Sequence, residues 1–346
     1  MAQDKIYKKL GEKMFVEKNL GNTTIPEFSE ILEINKVQTR SIWQRCLKYM
    51  NPPLPHAKVN MFEKFISTIL TTLFDMHPPW VIQYKSGGKV NTVETEGING
   101  EMLFKVLFGF PAYREDSIVF NGKEIPVLDI PSFAYGRYQD YERFIDNFFS
   151  KHQKKEALII DLRRNPGGNG TWGYYMLDYL TDSSYKIINV FDFKVSKIFR
   201  TSNYRSKAGN NLVGAKNGDY IPSASNGIRT PQNKRNKFQG RVFLLVSHTT
   251  DSAGVVTAAI FKHGKMGTVI GQETAGRIKF NSDPVAVKLP NSGLEVFIPV
   301  AIYALPGDNP DRGVIPDIVI DYSIEDLKKH SDKEIEKIKE LISKIY

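Results

Sequence analysis

Ser252 stands where an apolar strand gives way to a helix, inside the run LLVSHTTDSAGVVTAAIFKHGKMGTVIGQETAGR at residues 244–277. A hydroxyl at a helix start lies beside the unbonded N–H groups of the first turn and the positive end of the helix dipole. Such a place suits a nucleophile, because backbone donors can meet the negative charge that develops on an attacked carbonyl oxygen. It equally suits a plain N-cap, for which serine is a preferred residue. This stretch alone leaves both readings open. A second turn carries related chemistry. The apolar run ALIIDLRR at 157–164 ends in Asn165-Pro166-Gly167-Gly168-Asn169-Gly170 and enters another helix. The N–H of Gly167 or Gly168 could donate to the same oxyanion, or the glycines could simply supply a tight turn of positive φ. No Gly-Lys-Ser/Thr follows, and the glycine spacing is not that of a dinucleotide site.

Other chemistries find less support. The six histidines form no His-Glu-x-x-His or Cys/His cluster, so no metal site is expected, and no cofactor. Gly-x-Ser-x-Gly is absent around Ser252, which argues against an α/β-hydrolase. His56 and His77 stand beside prolines and read as loop histidines. The chain has 346 residues, 41% hydrophobic and 12% aromatic, enough to bury a substantial core. Its formal charge of +9 is spread along the whole length, a solubility pattern, and nucleic acid is not an expected partner. One cysteine, Cys46, allows no internal disulfide and reads as core. No apolar run approaches the roughly 18 residues of a membrane helix, and the N-terminus lacks an apolar signal core.

The elements that must carry these turns follow from periodicity. Strands are expected at 13–17, 30–34, 80–84 and 90–96, the last two joined by a Gly-Gly hairpin signal. Helices are expected from an N-cap at Thr39 to Met50, and over 61–74, where apolar residues recur at helical spacing. Together they make a module over 1–105. Beyond it, strand 125–130, helix 138–154, strand 157–164 and the two turns give βαβ alternation, hence a mostly parallel sheet covered by helices. Residues 185–199 alternate like a strand. Residues 202–240 are polar and aperiodic, a long loop or lid. Residues 285–289 and 294–303 read as strands. A helix within 323–346 begins at a capping box, Ser331 to Glu334, with Ile335, Ile338, Leu341, Ile342 and Ile345 on its apolar face.

With these elements in order, ALIIDLRRNPGG, then SHTTDSAG and VIGQETAG, resemble the C-terminal processing, or tail-specific, serine peptidases and the related tricorn core. The segments 26–37, 130–133 and Gly313-Val314-Ile315-Pro316-Asp317-Ile318 extend the resemblance over nearly the whole chain. It implies an α/β fold: a Clp-protease/crotonase-like core with a mostly parallel sheet over 106–346, preceded by a PDZ-like module. It implies Ser252 as nucleophile, with Ala253 and Gly167 or Gly168 as oxyanion donors. It also implies polypeptide substrates with free C-termini, an exported protein, and a homo-oligomer among the expected assemblies.

The base that must take the serine's proton is where the sequence departs from this family. The processing peptidases place a lysine 25 residues after the serine, and here that residue is Arg277, too basic for the task. The tricorn-like branch takes a histidine from ahead of the PDZ-like module, and none matches. His77 in FDMHPPW has a superficially similar setting, but it lies after the module's core strand. The acidic residue of that branch aligns with Pro310, with Asp308 and Asp311 nearby. Three expectations follow, in this order: a piece of a longer enzyme, an unusual base in Lys279 or His248, or an inactive relative that binds peptides or a lipophilic ligand.

Overall fold

A computed structural model describes residues 5–109, 111, 113–134, 136–232 and 235–344. The chain packs as two compact units, Met1–Pro111 with Ile320–Lys337, and Ala112–Val319 with Ile338–Tyr346.

The first unit is built on an antiparallel sheet. Its strands run in the order Lys5–Leu10, Lys13–Asn19, Glu30–Ile34, Trp80–Ser86 and Lys89–Thr95, and Val37–Gln38 pairs back on Glu30–Ile34. Helices Thr39–Cys46 and Pro55–Phe74 bury Ile42, Phe62, Ile66 and Leu70 with Val16, Ile31, Ile34 and Trp80. The second helix starts six residues earlier than its apolar stripe suggests. Pro55 sits at its first position, where a missing N–H costs nothing, so the proline-rich break launches the helix. Thr39 lies inside the first helix rather than capping it: Gln38 holds the N-cap position, and the Thr39 hydroxyl donates to Ile31 O. That helix ends at Cys46, short of Met50.

In the second unit a six-stranded sheet runs Ile318–Val319, Thr268–Gly271, Arg241–Val246, Ala157–Asp161, Lys123–Asp129, Arg114–Phe120. Every neighbouring pair is parallel except the last, an antiparallel edge hairpin. The parallel sheet thus stands as expected. Leu158 and Ile160 of Ala157–Asp161 pack with helices Tyr138–His152, Gly170–Leu177 and Ala253–His263, and Ile159 on the opposite face is also fully buried, which explains the unbroken apolar run. The fold is mixed α/β.

Residues 185–199 are not one strand. Tyr185–Lys186 and Val190–Lys194 are separate strands, and helix Lys197–Thr201 follows. Residues 202–240 are more ordered than their polarity suggests. A 3-10 run, Asn203–Leu212, leads to strand Tyr220–Pro222 against Val190–Lys194, and Ile228–Arg229 pairs with Tyr185–Lys186. Phe193, Phe199, Ala208 and Ile221 form a small core with Val300 and Ala301 of strand Glu295–Ala304, which pairs with Val190–Lys194.

The 323–346 segment holds two helices. The capping box lies at Ser323 and Asp326, which open Ile324–Lys328. Helix Lys333–Ser343 starts instead with Asp332 Oδ1 accepting from the Ile335 N–H. Ile338 and Ile342 are buried, and Ile345 lies outside the described residues. Among the described residues no helix is long and apolar enough to cross a membrane.

Candidate functional site

The two turns meet at the carboxyl ends of the parallel strands, where open α/β sheets place their ligand crevices. One follows Ala157–Asp161 and the other follows Arg241–Val246, adjacent parallel strands. Their proximity is therefore a consequence of strand order.

Asn165 fixes the first turn. It is fully buried; its side-chain amide donates to Ile130 O at 2.8 Å, and its Oδ1 accepts from the Gly167 N–H at 2.8 Å. Its own carbonyl accepts from the Asp251 N–H at 2.9 Å, tying the first turn to the second. The Gly167 carbonyl then accepts from Phe133 N–H, and the Phe133 carbonyl accepts from Asn169 N–H, both at 2.9 Å. Gly167 and Gly168 hold φ of 108° and 132°, a region that side chains rarely adopt. A Cβ on Gly167 would come within 2.6 Å of Ser252 Cβ, and one on Gly168 would strike the Phe133 carbonyl. Glycine is thus needed twice, for conformation and for space.

The second turn is held from behind. Thr250, fully buried, donates from its hydroxyl to Leu162 O and accepts from Ser247 N–H. Ser252 follows with φ 49° and ψ −118°, strained backbone for a residue with a Cβ. It occupies the N-cap position of Ala253–His263 but makes no side-chain cap bond. Its side chain is exposed, and among the described residues its Oγ has no hydrogen-bond partner. Capping therefore does not account for this serine.

Around Ser252 the donors differ in availability. The Gly167 N–H is spent on Asn165. Among the described residues the N–H groups of Gly168 and Ala253 reach no protein acceptor, and Gly168 is exposed. The structure thus brings Ser252, Ala253, Gly167 and Gly168 together. It joins neither His248 nor Lys279 to the Ser252 hydroxyl. His248 lies half-buried in the same turn, while Lys279 is exposed at the start of strand Lys279–Lys288, its N–H 3.3 Å from Pro310 O. His77 is exposed in the first unit with Nε2 3.0 Å from Asp75 Oδ1.

The segment after Gly271 closes the back of the site. Ala275 N–H donates to Thr250 O at 2.8 Å, and a Cβ on Gly276 would lie 2.5 Å from Asp251 Oδ1. Thr274 Oγ1 accepts from Val314 N–H, and Glu273 accepts from Gly313 N–H and Arg312. The GQETAG and GVIPD runs are thus two halves of one clasp. Arg277 leaves this clasp with Nη1 3.8 Å from Asp311 Oδ1, while its Nε is buried without an acceptor among the described residues. Farther back, Asp129 accepts from Arg114 and Arg164, and burial pushes its carboxyl above the ordinary value despite both cations. The sequence reading gave no role to Asn165, Thr250 or the Gly276 contact. An asparagine before Pro-Gly-Gly at the end of a buried strand was the signal for the first.

The model of peptidase family S41 matches residues 124–320, a region that holds both turns and the clasp. The tail-specific protease of Haemophilus influenzae is 26% identical over 158 residues, 45% of this chain and 18% of that protein, so the match spans less than a fifth of the relative. Among solved structures, mature CPAF aligns with a TM-score of 0.68 at 14% identity, over 99% of this chain and 82% of that one. The photosystem II D1 C-terminal processing protease aligns at 0.44 and 14% identity, over 92% and 72%. With more than half of its length matched, including every segment that builds the serine turn, the chain belongs to peptidase family S41.

Proposed function

We propose that this chain is a serine endopeptidase, or the core of one, that cleaves polypeptides near their C-termini. The observation that carries the reading is Ser252 itself: an exposed hydroxyl on strained backbone, bonded to nothing among the described residues, with two unengaged N–H groups beside it. In this reading Ser252 Oγ attacks the scissile carbonyl, and the N–H groups of Gly168 and Ala253 stabilise the oxyanion. Gly167 is the wall against which the serine rests. Lys279 and His248 are the candidate bases, either of which must approach Oγ when substrate binds, since catalytic hydrogen bonds often tighten only in the complex. The core is of the Clp-protease/crotonase type. The antiparallel first unit acts as a PDZ-like module that takes up a C-terminus as an added strand, for which the edge strand Lys89–Thr95 is available.

A fluorophosphonate probe tests the nucleophile. Wild type is labelled and Ser252→Ala is not; equal labelling of both overturns the assignment. If neither is labelled while C-terminal peptides still bind, the chain is a peptide-binding relative without turnover. The base follows from the pH profile of labelling in Lys279→Met and His248→Gln, only one of which should abolish the reaction.

A further inference from the structure

Arg277, which follows the Gly276 that packs on the serine turn, has a side chain whose hydrogen-bonding capacity is left partly unused among the described residues. Its Nε is buried and meets no acceptor among the described residues, and Asp311, largely exposed, lies 3.8 Å from Nη1. A buried guanidinium N–H without an acceptor is costly, and native proteins rarely tolerate one without a reason. Its position is defined from both sides. Gly276, the preceding residue, packs on Asp251 beside Ser252, and Ile278, the following residue, donates to Arg312 O at 2.9 Å. Arg277 therefore follows directly on the residue that packs against the serine turn, and its side chain is about one-third exposed. A guanidinium offers its donors in a planar fork that matches a carboxylate.

We infer that Arg277 is a specificity-determining residue that receives a carboxylate of the bound polypeptide, from an acidic side chain or from the chain terminus, next to the bond presented to Ser252. The inference rests on the proposed role of Ser252 only for the words "next to the bond"; recognition of the carboxylate does not need a reactive serine. At this position the family's lysine would be a proton acceptor. The arginine keeps the positive charge and exchanges proton transfer for anion recognition.

Binding to the Ser252→Ala protein tests this by calorimetry, so that turnover plays no part. Amidated peptides that differ by one Glu or Gln isolate the side-chain source. A Gln peptide with a free or amidated end isolates the terminal source. One of the two pairs should show about tenfold tighter binding of the carboxylate form, as expected for a charge-assisted hydrogen bond. Arg277→Gln should erase that ratio, and Arg277→Lys should keep part of it, since a point charge replaces the fork. Lys154→Gln, an exposed cation elsewhere on the same unit, should leave it intact and so exclude a general charge effect. A ratio near one for both pairs, or a ratio unchanged in Arg277→Gln and Arg277→Lys, overturns the inference. Loss of fluorophosphonate labelling with the ratio preserved would overturn the serine's role and leave that of Arg277 standing.

Discussion

The two strand-to-helix turns start from the same topology and end in opposite conditions. In the first, Asn165 is fully buried and bonded on both sides of its side chain, and its glycines are pressed against Phe133 and Ser252. In the second, Ser252 is exposed, strained and without a side-chain partner among the described residues. Apart from the Gly168 N–H, the first turn spends its polar groups on shape; the second leaves the Ser252 hydroxyl and the Ala253 N–H unengaged among the described residues. One turn is a mould and the other is what the mould presents. Residues of the first should therefore govern folding, and those of the second should govern reactivity.

Substitutions can break or sharpen this contrast. Gly168→Ala places a methyl group in the Phe133 carbonyl at a φ that alanine resists, and it should cost about 2–5 kcal/mol in urea unfolding, the largest effect. Asn165→Ala strands the Ile130 carbonyl and the Gly167 N–H, a loss of about 2–3 kcal/mol, and should abolish labelling of a serine it never touches. Thr274→Val, which removes the acceptor for Val314 N–H, should cost about 1–2 kcal/mol and slow labelling without ending it. Ser252→Ala should leave the melting temperature unchanged. Ser252→Gly should gain about 1 kcal/mol by relieving the positive φ, a direct measure of strain held at the position of the proposed nucleophile. A large loss from Ser252→Ala would mean that the serine is structural and would erase the distinction between the turns.

The mould was only half legible in the sequence. The parallel strands and the helix after each turn follow from apolar runs flanked by glycine, because burial on both faces leaves a local mark. Ser252 was legible as a helix start. That it caps nothing was not, since only the φ of 49° and the missing bond reveal it. Strand Arg114–Phe120 escaped notice because an edge strand exposed along most of its length has no apolar alternation to read. The small core around Phe193 and Phe199 joins two short strands, Val190–Lys194 and Tyr220–Pro222, to Val300 and Ala301 of the distant strand Glu295–Ala304, and the short strands are below the length at which a period can be recognised. Arg277 was visible as a departure from the family, but only its packing showed an N–H left without an acceptor.

The threads that fix Ser252 come from Asn165, Gly167, Thr250 and the Ala275–Gly276 bend, and the clasp to Val314 secures the last of these. Asn165 and Val314 are separated by about two thirds of the length of the second unit. Contacts of such sequence separation form late, because loop closure must be met before they return any stability. The strained serine geometry is then among the last features to appear during folding. A partly folded chain that already shows native helix content should not yet react with a fluorophosphonate, so labelling should lag behind the circular dichroism signal on refolding. If Ser252 has its proposed role, distance along the chain would act as a timer, leaving the serine geometry unformed while the protein's own unfolded segments are still within reach.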